Sequence, residues 1–478
     1  MSIPTHRGGL THLTHQAVQE RGPEQHSIGH IPASERHGSV ASLFTIWFGS
    51  NMQLTTIVTG ALATILGLSL QRALIALFLG NAFGAIFMAL HSAQGPKLGI
   101  PQMIQSRAQF GFYGACVPIA LVVLMYLGYF ASSAVLGGET LAAAWGLGFA
   151  RSTLILAAIT AVLSIYGYRA IHRLERLFSA VAAIAFLYLS ARLLGAHDLG
   201  ALWTGGNTSF GLFLLVVSIA ATWQITYAPY VADYSRYLPE STSLRAAFWW
   251  TYTGSVISCV WMMWLGAIAA AVAPQGFSHD SSAFLLKLAA PQVRWAIMLI
   301  IATGIVAANV LNLYGMFMSI TTTISAMRPI SISARARAVA IAVIAVLGTC
   351  VAILGQGNFV TNFENFILFL AYFLIPWTAI NLADFYLVRK ERYDIASIFD
   401  PNGIYGRINW RTLCAYTVAI VAEIPFVKTS FYTGRAVERV GGADIAWIIG
   451  LVIATLLYLL LMRGEVRTTQ PLLDSGKS

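Results

Sequence analysis

Trp47-Phe48-Gly49-Ser50-Asn51-Met52-Gln53 stands in the middle of an apolar run that extends from 38 to 67. A run of that length is what a helix needs to cross hydrocarbon, yet its centre holds a glycine, a hydroxyl and two amides. Non-helical backbone at membrane depth persists only where protein or a water-filled cavity surrounds it. A second interruption, Trp223-Gln224-Ile225-Thr226-Tyr227-Ala228-Pro229-Tyr230, lies inside the run 209–233, where the proline removes a helical hydrogen bond.

Working outward, apolar runs recur at 38–67, 70–94, 114–144, 152–170, 175–195, 209–233, 244–273, 292–325, 336–355, 360–388, 408–428 and 441–463. The composition agrees: of 478 residues, 57% are hydrophobic and 10% charged, with a mean hydropathy of +0.71. A soluble chain carries about a quarter of its residues as charges. The fold class expected is therefore an all-α integral membrane protein of about twelve transmembrane helices. The interrupted runs are the first and the sixth, which occupy equivalent places in two five-helix halves. Paired interruptions of this kind point to a central site in transporters built from inverted repeats.

The expected organisation is a disordered cytoplasmic tail (1–37), repeat one (38–195), repeat two (209–388), a cytoplasmic loop (389–407), two further helices (408–463) and a short cytoplasmic tail (464–478). The loop carries Asp400-Pro401-Asn402-Gly403. The first tail is polar and prolyl, has no apolar stretch or cleavage site of a secretory signal, and bears His6, His12, His15, His26, His30 and His37 without tight ligand spacing. No metal is expected there.

Both termini are placed in the cytoplasm, because only Arg72, Arg151, Arg192, Lys287, Arg294, Lys428, Arg435 and Arg439 of the 29 basic residues then fall outside. The net charge of +10 reflects this topology and contact with anionic lipid, and its dispersal over loops argues against nucleic-acid binding. Cys116, Cys259, Cys350 and Cys414 sit in or beside apolar runs and read as packing residues.

The eighth run contains Thr303-Gly304-Ile305-Val306-Ala307-Ala308-Asn309-Val310-Leu311-Asn312. Two amides in an apolar helix must find partners. Bonding between helices is one reading; the other is readout of a heterocycle edge, since an amide both donates and accepts. Three positions apart, they share one helical face. A membrane enzyme would show clustered His, Asp or Glu inside the runs, whereas His91 and His172 are isolated; no channel filter or pore ring is evident. Intramembrane carboxylates are functional candidates by default, and Glu175, Glu139 and Glu364 are the protonatable ones.

The sequence resembles the nucleobase–cation symporter family, which includes the purine and cytosine permeases. The resemblance rests on Gly49-Ser50-Asn51-Met52 with Thr59-Gly60-Ala61, on Gly167-Tyr168-Arg169-Ala170-Ile171-His172-Arg173-Leu174-Glu175, on Ala228-Pro229-Tyr230-Val231-Ala232-Asp233-Tyr234-Ser235-Arg236-Tyr237-Leu238-Pro239, and on Asn312-Leu313-Tyr314. It implies a leucine-transporter-like fold of five plus five helices in inverted repeat with two C-terminal helices. It also implies import of a nucleobase, cytosine or a purine, by symport with H⁺ or Na⁺, with no cofactor and no catalytic residue.

Allantoin, hydantoin or uracil permeases of the same family, and an amino-acid carrier of the same fold, are the alternatives. Carried over residue by residue, the substrate positions are Ser50, Asn51, Gln53, Tyr129, Ser133, Trp223, Tyr227, Asn309 and Asn312. The cation site resembles Gly49 with Thr303 and Gly304, where one hydroxyl is missing from the family pattern. The protein is expected to act as a monomer, multi-pass, in a bacterial cytoplasmic (plasma) membrane.

Overall fold

The computed structural model describes residues 29–166, 168–327 and 333–463, the side chains of 166–178 and 334 excepted. Its helices of eight residues or more are, in order, α1 (Ser42–Ser50), α2 (Leu54–Ile65), α3 (Leu70–Leu98), α4 (Gln102–Phe110), α5 (Cys116–Trp145), α6 (Phe149–Tyr166), α7 (Tyr168–Ala196) and α8 (Phe210–Ile225). They continue with α9 (Ala228–Ser235), α10 (Leu244–Val272), α11 (Ser281–Leu288), α12 (Arg294–Met327), α13 (Ala334–Gly355), α14 (Phe359–Leu382), α15 (Trp410–Glu423) and α16 (Ala446–Met462).

Seven stretches among the described residues are long and apolar enough to cross a membrane. The number differs from the apolar runs of the sequence for physical reasons. The first run is cut into α1 and α2, each too short to span alone, while Arg335–Val388 counts as one stretch although it holds both α13 and α14.

Backbones approach each other through small residues, as membrane helices require. A methyl on Gly80 or Gly84 of α3 would meet the backbone oxygens of Val217 and Ala221 on α8. A methyl on Gly60 of α2 would meet the Met263 backbone of α10, and one on Gly266 of α10 the Ile57 oxygen of α2. These four glycines draw α2, α3, α8 and α10 into one tight group. Outside, Leu354, Phe431, Ile184 and Trp410 are among the large apolar side chains left exposed.

Two expectations are corrected. Residues 29–37 are not a loose tail. Ile31 is buried, Arg36 donates from Nη1 to the Pro96 carbonyl (2.7 Å) and from Nε to that of Ile31 (2.9 Å), and the His37 amide bonds the Tyr237 carbonyl (2.7 Å). One apolar residue and one five-donor guanidinium suffice to pin the segment. His30 is engaged with Arg36 at 3.0 Å; His6, His12, His15 and His26 lie outside the described residues. Of the cysteines, Cys259 is buried and Cys116 half-buried, but Cys350 and Cys414 are exposed, so only part of the set packs the interior.

Candidate functional site

The two interruptions are unequal. After α1 the chain leaves the helix at Asn51, and Gln53 is fully extended (φ −140, ψ 156) before α2 begins. Between α8 and α9 the residues Thr226 and Tyr227 keep right-handed dihedrals, so this break is a bend, and Pro229 sits in the first turn of α9, where it forfeits no bond. The groups released are taken up by side chains. Gln53 Nε2 donates to the Ser50 carbonyl (2.8 Å), Ser50 Oγ to that of Ile46 (2.8 Å), and Thr226 Oγ1 to that of Trp223 (2.7 Å).

Asn51 is the hub. It is fully buried, and its Oδ1 accepts from Trp223 Nε1 (3.0 Å) and Tyr227 Oη (2.9 Å). Its Nδ2 donates to the Trp47 carbonyl (3.1 Å) and to Ser258 Oγ (3.1 Å). Ser255, one turn earlier on α10, donates to Gln224 Oε1 (2.7 Å), and Gln224 Nε2 donates to Asn81 Oδ1 (2.9 Å) on α3. A continuous polar chain therefore runs from the broken first span through α8 and α10 to α3.

Aromatic rings line the same region. Tyr227 packs on Trp47 with centroids 5.3 Å apart and edge-on to Trp223 at 6.1 Å. Tyr129 of α5 stands edge-on to Trp223 (5.6 Å) and to Phe366 of α14 (5.2 Å), and its hydroxyl pairs with Thr226 Oγ1 at 3.0 Å. Ser133 pairs with Thr55 of α2 at 3.2 Å. The Nε1 of Trp47 and the hydroxyls of Thr56 and Thr222 are buried without a hydrogen-bond partner among the described residues, so polar capacity remains in the apolar surround.

On α12, Asn309 is fully buried and donates to the Phe130 carbonyl (3.2 Å). Asn312 is half-buried and donates to Asn309 Oδ1 (3.2 Å), and no described residue bonds its own Oδ1. The two amides thus divide the roles that the sequence left open: Asn309 braces helix to helix, and Asn312 presents a free acceptor beside the helix that carries Tyr129.

The structure brings Ser50, Asn51, Gln53, Tyr129, Ser133, Trp223 and Tyr227 into one neighbourhood and sets Asn309 and Asn312 beside Phe130. Gly49 packs against Ser179 of α7, whereas Thr303 is exposed on α12 with no hydrogen bond among the described residues. Glu139 lies ten positions from Tyr129 along α5, about 15 Å along the axis, and is half-buried. Glu364 is half-buried on α14; Glu175 falls on α7, and its side chain is not among those described.

Sequence reasoning missed Asn81, Gln224, Thr226, Ser255 and Ser258 as members of the constellation. The serines at i and i+3 in an apolar run were the available signal.

The family whose description reads permease for cytosine/purines, uracil, thiamine and allantoin matches residues 30–450. The chain belongs to that family and is a multi-pass membrane transport protein. It is 44% identical over 444 residues to a putative purine-cytosine permease of Bacillus subtilis (strain 168), covering 93% of this chain and 97% of the relative. Against the purine-cytosine permease of Emericella nidulans it is 25% identical over 470 residues, covering 93% and 89%.

Among solved structures it superposes on Mhp1, a nucleobase-cation-symport-1 family transporter held closed with bromovinylhydantoin bound. The TM-score is 0.74 at 20% identity, over 93% of this chain and 96% of that one. On the inward-facing form of Mhp1 the TM-score is 0.75 at 21% identity, over 94% and 95%. At such identity the likeness concerns the fold, which is that of Mhp1.

Proposed function

We propose that the protein imports a nucleobase, cytosine or a purine, by symport with a cation, alternately opening a central site to the two sides of the membrane. The observation that carries this reading is the junction at Asn51, where a broken first span is held against Trp223 and Tyr227. Flat aromatic faces beside hydrogen-bonding amides suit a planar heterocycle, since stacking on an aromatic side chain contributes about 1–3 kcal/mol per base. Asn312 then supplies the edge readout, with Ser50, Gln53 and Ser133 around the ring.

In this reading the chain has twelve spans, five and five in inverted repeat followed by α15 and α16. Both termini lie in the cytoplasm of a bacterial cell, and the monomer is the working unit. The coupling ion is H⁺: Thr303 is exposed, its neighbour Gly304 brings no hydroxyl, and a Na⁺ site needs several converging oxygens. The deciding experiment is uptake of labelled cytosine into a transport-deficient cell, with adenine, hypoxanthine, uracil, allantoin and hydantoin as competitors. Competition by cytosine and purines supports the reading. Competition by allantoin or hydantoin alone replaces it with another permease of the same family.

A further inference from the structure

Away from the central constellation, α15 ends on a carboxyl group that the transport reading does not use. Glu423 is buried, with neither oxygen hydrogen-bonded among the described residues, and it packs on the bare α-carbon of Gly450 in α16. The ionisable groups around it are Asp444 of the intervening loop, Tyr372 of α14 and Tyr416 of its own helix, with Lys428 beside Asp444, while α16 offers Gly450. None of them donates to it. The Lys428 ammonium is committed to the Gly442 carbonyl (2.9 Å), and Tyr416 donates to the Phe373 carbonyl (3.0 Å). The other end of α15 meets α4 through Thr412, which donates to the Gln109 carbonyl (2.7 Å).

Asp444 is the opposite case. It accepts from the Tyr372 hydroxyl (2.6 Å) and from the backbone N–H groups of Lys428 (2.7 Å) and Ala446 (3.0 Å). Three donors stabilise a carboxylate; none stabilises Glu423, which also lies at the negative end of its helix. An ionised Glu423 would be a second, unpaired negative charge in a dry interior, a costly arrangement that a bound proton removes.

We propose that Glu423 is a proton-binding site separate from the central one, and that its proton holds α15, α16 and the Tyr372 region of α14 together. Its loss sets two carboxylates against each other and loosens α14, whose Phe366 packs on Tyr129. The site thereby links proton concentration to the wall of the central chamber without supplying the coupling ion.

The test uses the full-length chain in liposomes. Infrared spectra at neutral pH should show the carbonyl band of a protonated carboxylic acid that Glu423→Gln diminishes and Asp444→Asn retains. A band undiminished in Glu423→Gln, or absent from the unaltered protein, overturns the proposal. In uptake of labelled cytosine, the unaltered protein should lose several-fold more rate than Glu423→Gln as the pH is raised from mildly acid to mildly alkaline; superimposable profiles would sink the link to transport. The infrared measurement needs no substrate, so it stands or falls apart from the nucleobase reading.

Discussion

The Tyr227 hydroxyl donates to Asn51 Oδ1 at 2.9 Å, joining the residue at the bend of one span to the amide at the break of another 176 positions away. The bond makes the two interruptions a single structural unit. An amide that accepts from Trp223 and Tyr227 while donating to Trp47 and Ser258 has its capacity committed. Asn51 therefore acts chiefly by fixing the two aromatic rings in place.

Tyr227→Phe keeps the ring against Trp47 but removes that bond, worth about 1 kcal/mol. Uptake affinity should fall roughly fivefold, in line with tenfold per 1.4 kcal/mol, and Tyr227→Ala should fall much further because the stacking face is gone. Equal losses in the two variants, read as KM for the transported base, would contradict a stacking role.

Asn312→Ala and Asn309→Ala should separate function from stability. The first removes a half-buried amide with a free acceptor, so uptake should be lost while expression holds, and the lost bond to Asn309 Oδ1 should lower the thermal midpoint only slightly. The second removes a fully buried amide and the bond it donates to the Phe130 carbonyl across two helices, a loss of about 0.5–1.5 kcal/mol. The larger drop in the midpoint in detergent is expected for Asn309→Ala, and the reverse pattern would exchange their roles.

Gly60→Ala drives a methyl into the Met263 backbone. Overpacking of this kind costs about 1–3 kcal/mol, so the thermal midpoint should drop. Gly195→Ala is the control, since a methyl there meets open space and replaces glycine within a helix, which is neutral to stabilising. A Gly60→Ala protein as stable as the control would show that α2 and α10 do not need their close approach.

Uptake should collapse when a protonophore dissipates the proton gradient and should survive replacement of Na⁺ by choline. Thr303→Ala, which alters an exposed hydroxyl, should leave the rate within about twofold, a difference of under 0.5 kcal/mol. Na⁺ dependence together with a large Thr303→Ala defect would reverse the ion assignment.

Much of this was legible in the sequence. Polar residues at 49–53 inside an apolar run announced a break, because a membrane allows one only at a sheltered place. Asn309 and Asn312 announced buried amides. What the sequence did not reveal were partners. Ser255 and Ser258 lie some two hundred positions from Asn51, and nothing in their own run names it. The face that Thr303 presents was not legible either, because a threonine in an apolar run does not say how its helix is turned, and packing fixes that only once the helices meet. Pro229 likewise was read as a breaker and proved to be a starter of α9. Residue type alone does not say on which side of a proline the turn closes.

The clasp formed by Arg36 has a mechanical corollary. It ties the segment before α1 to the carbonyl of Pro96 in α3, and His37 to Tyr237 just past α9. Three parts of the chain are riveted at one end of the bundle, so none of them can swing independently there. Whatever rocking admits and releases cargo must treat them as one block, to which α14 is also tied, Asn381 accepting from Gln94 of α3 (2.9 Å) and Trp377 donating to Ser106 of α4 (2.9 Å).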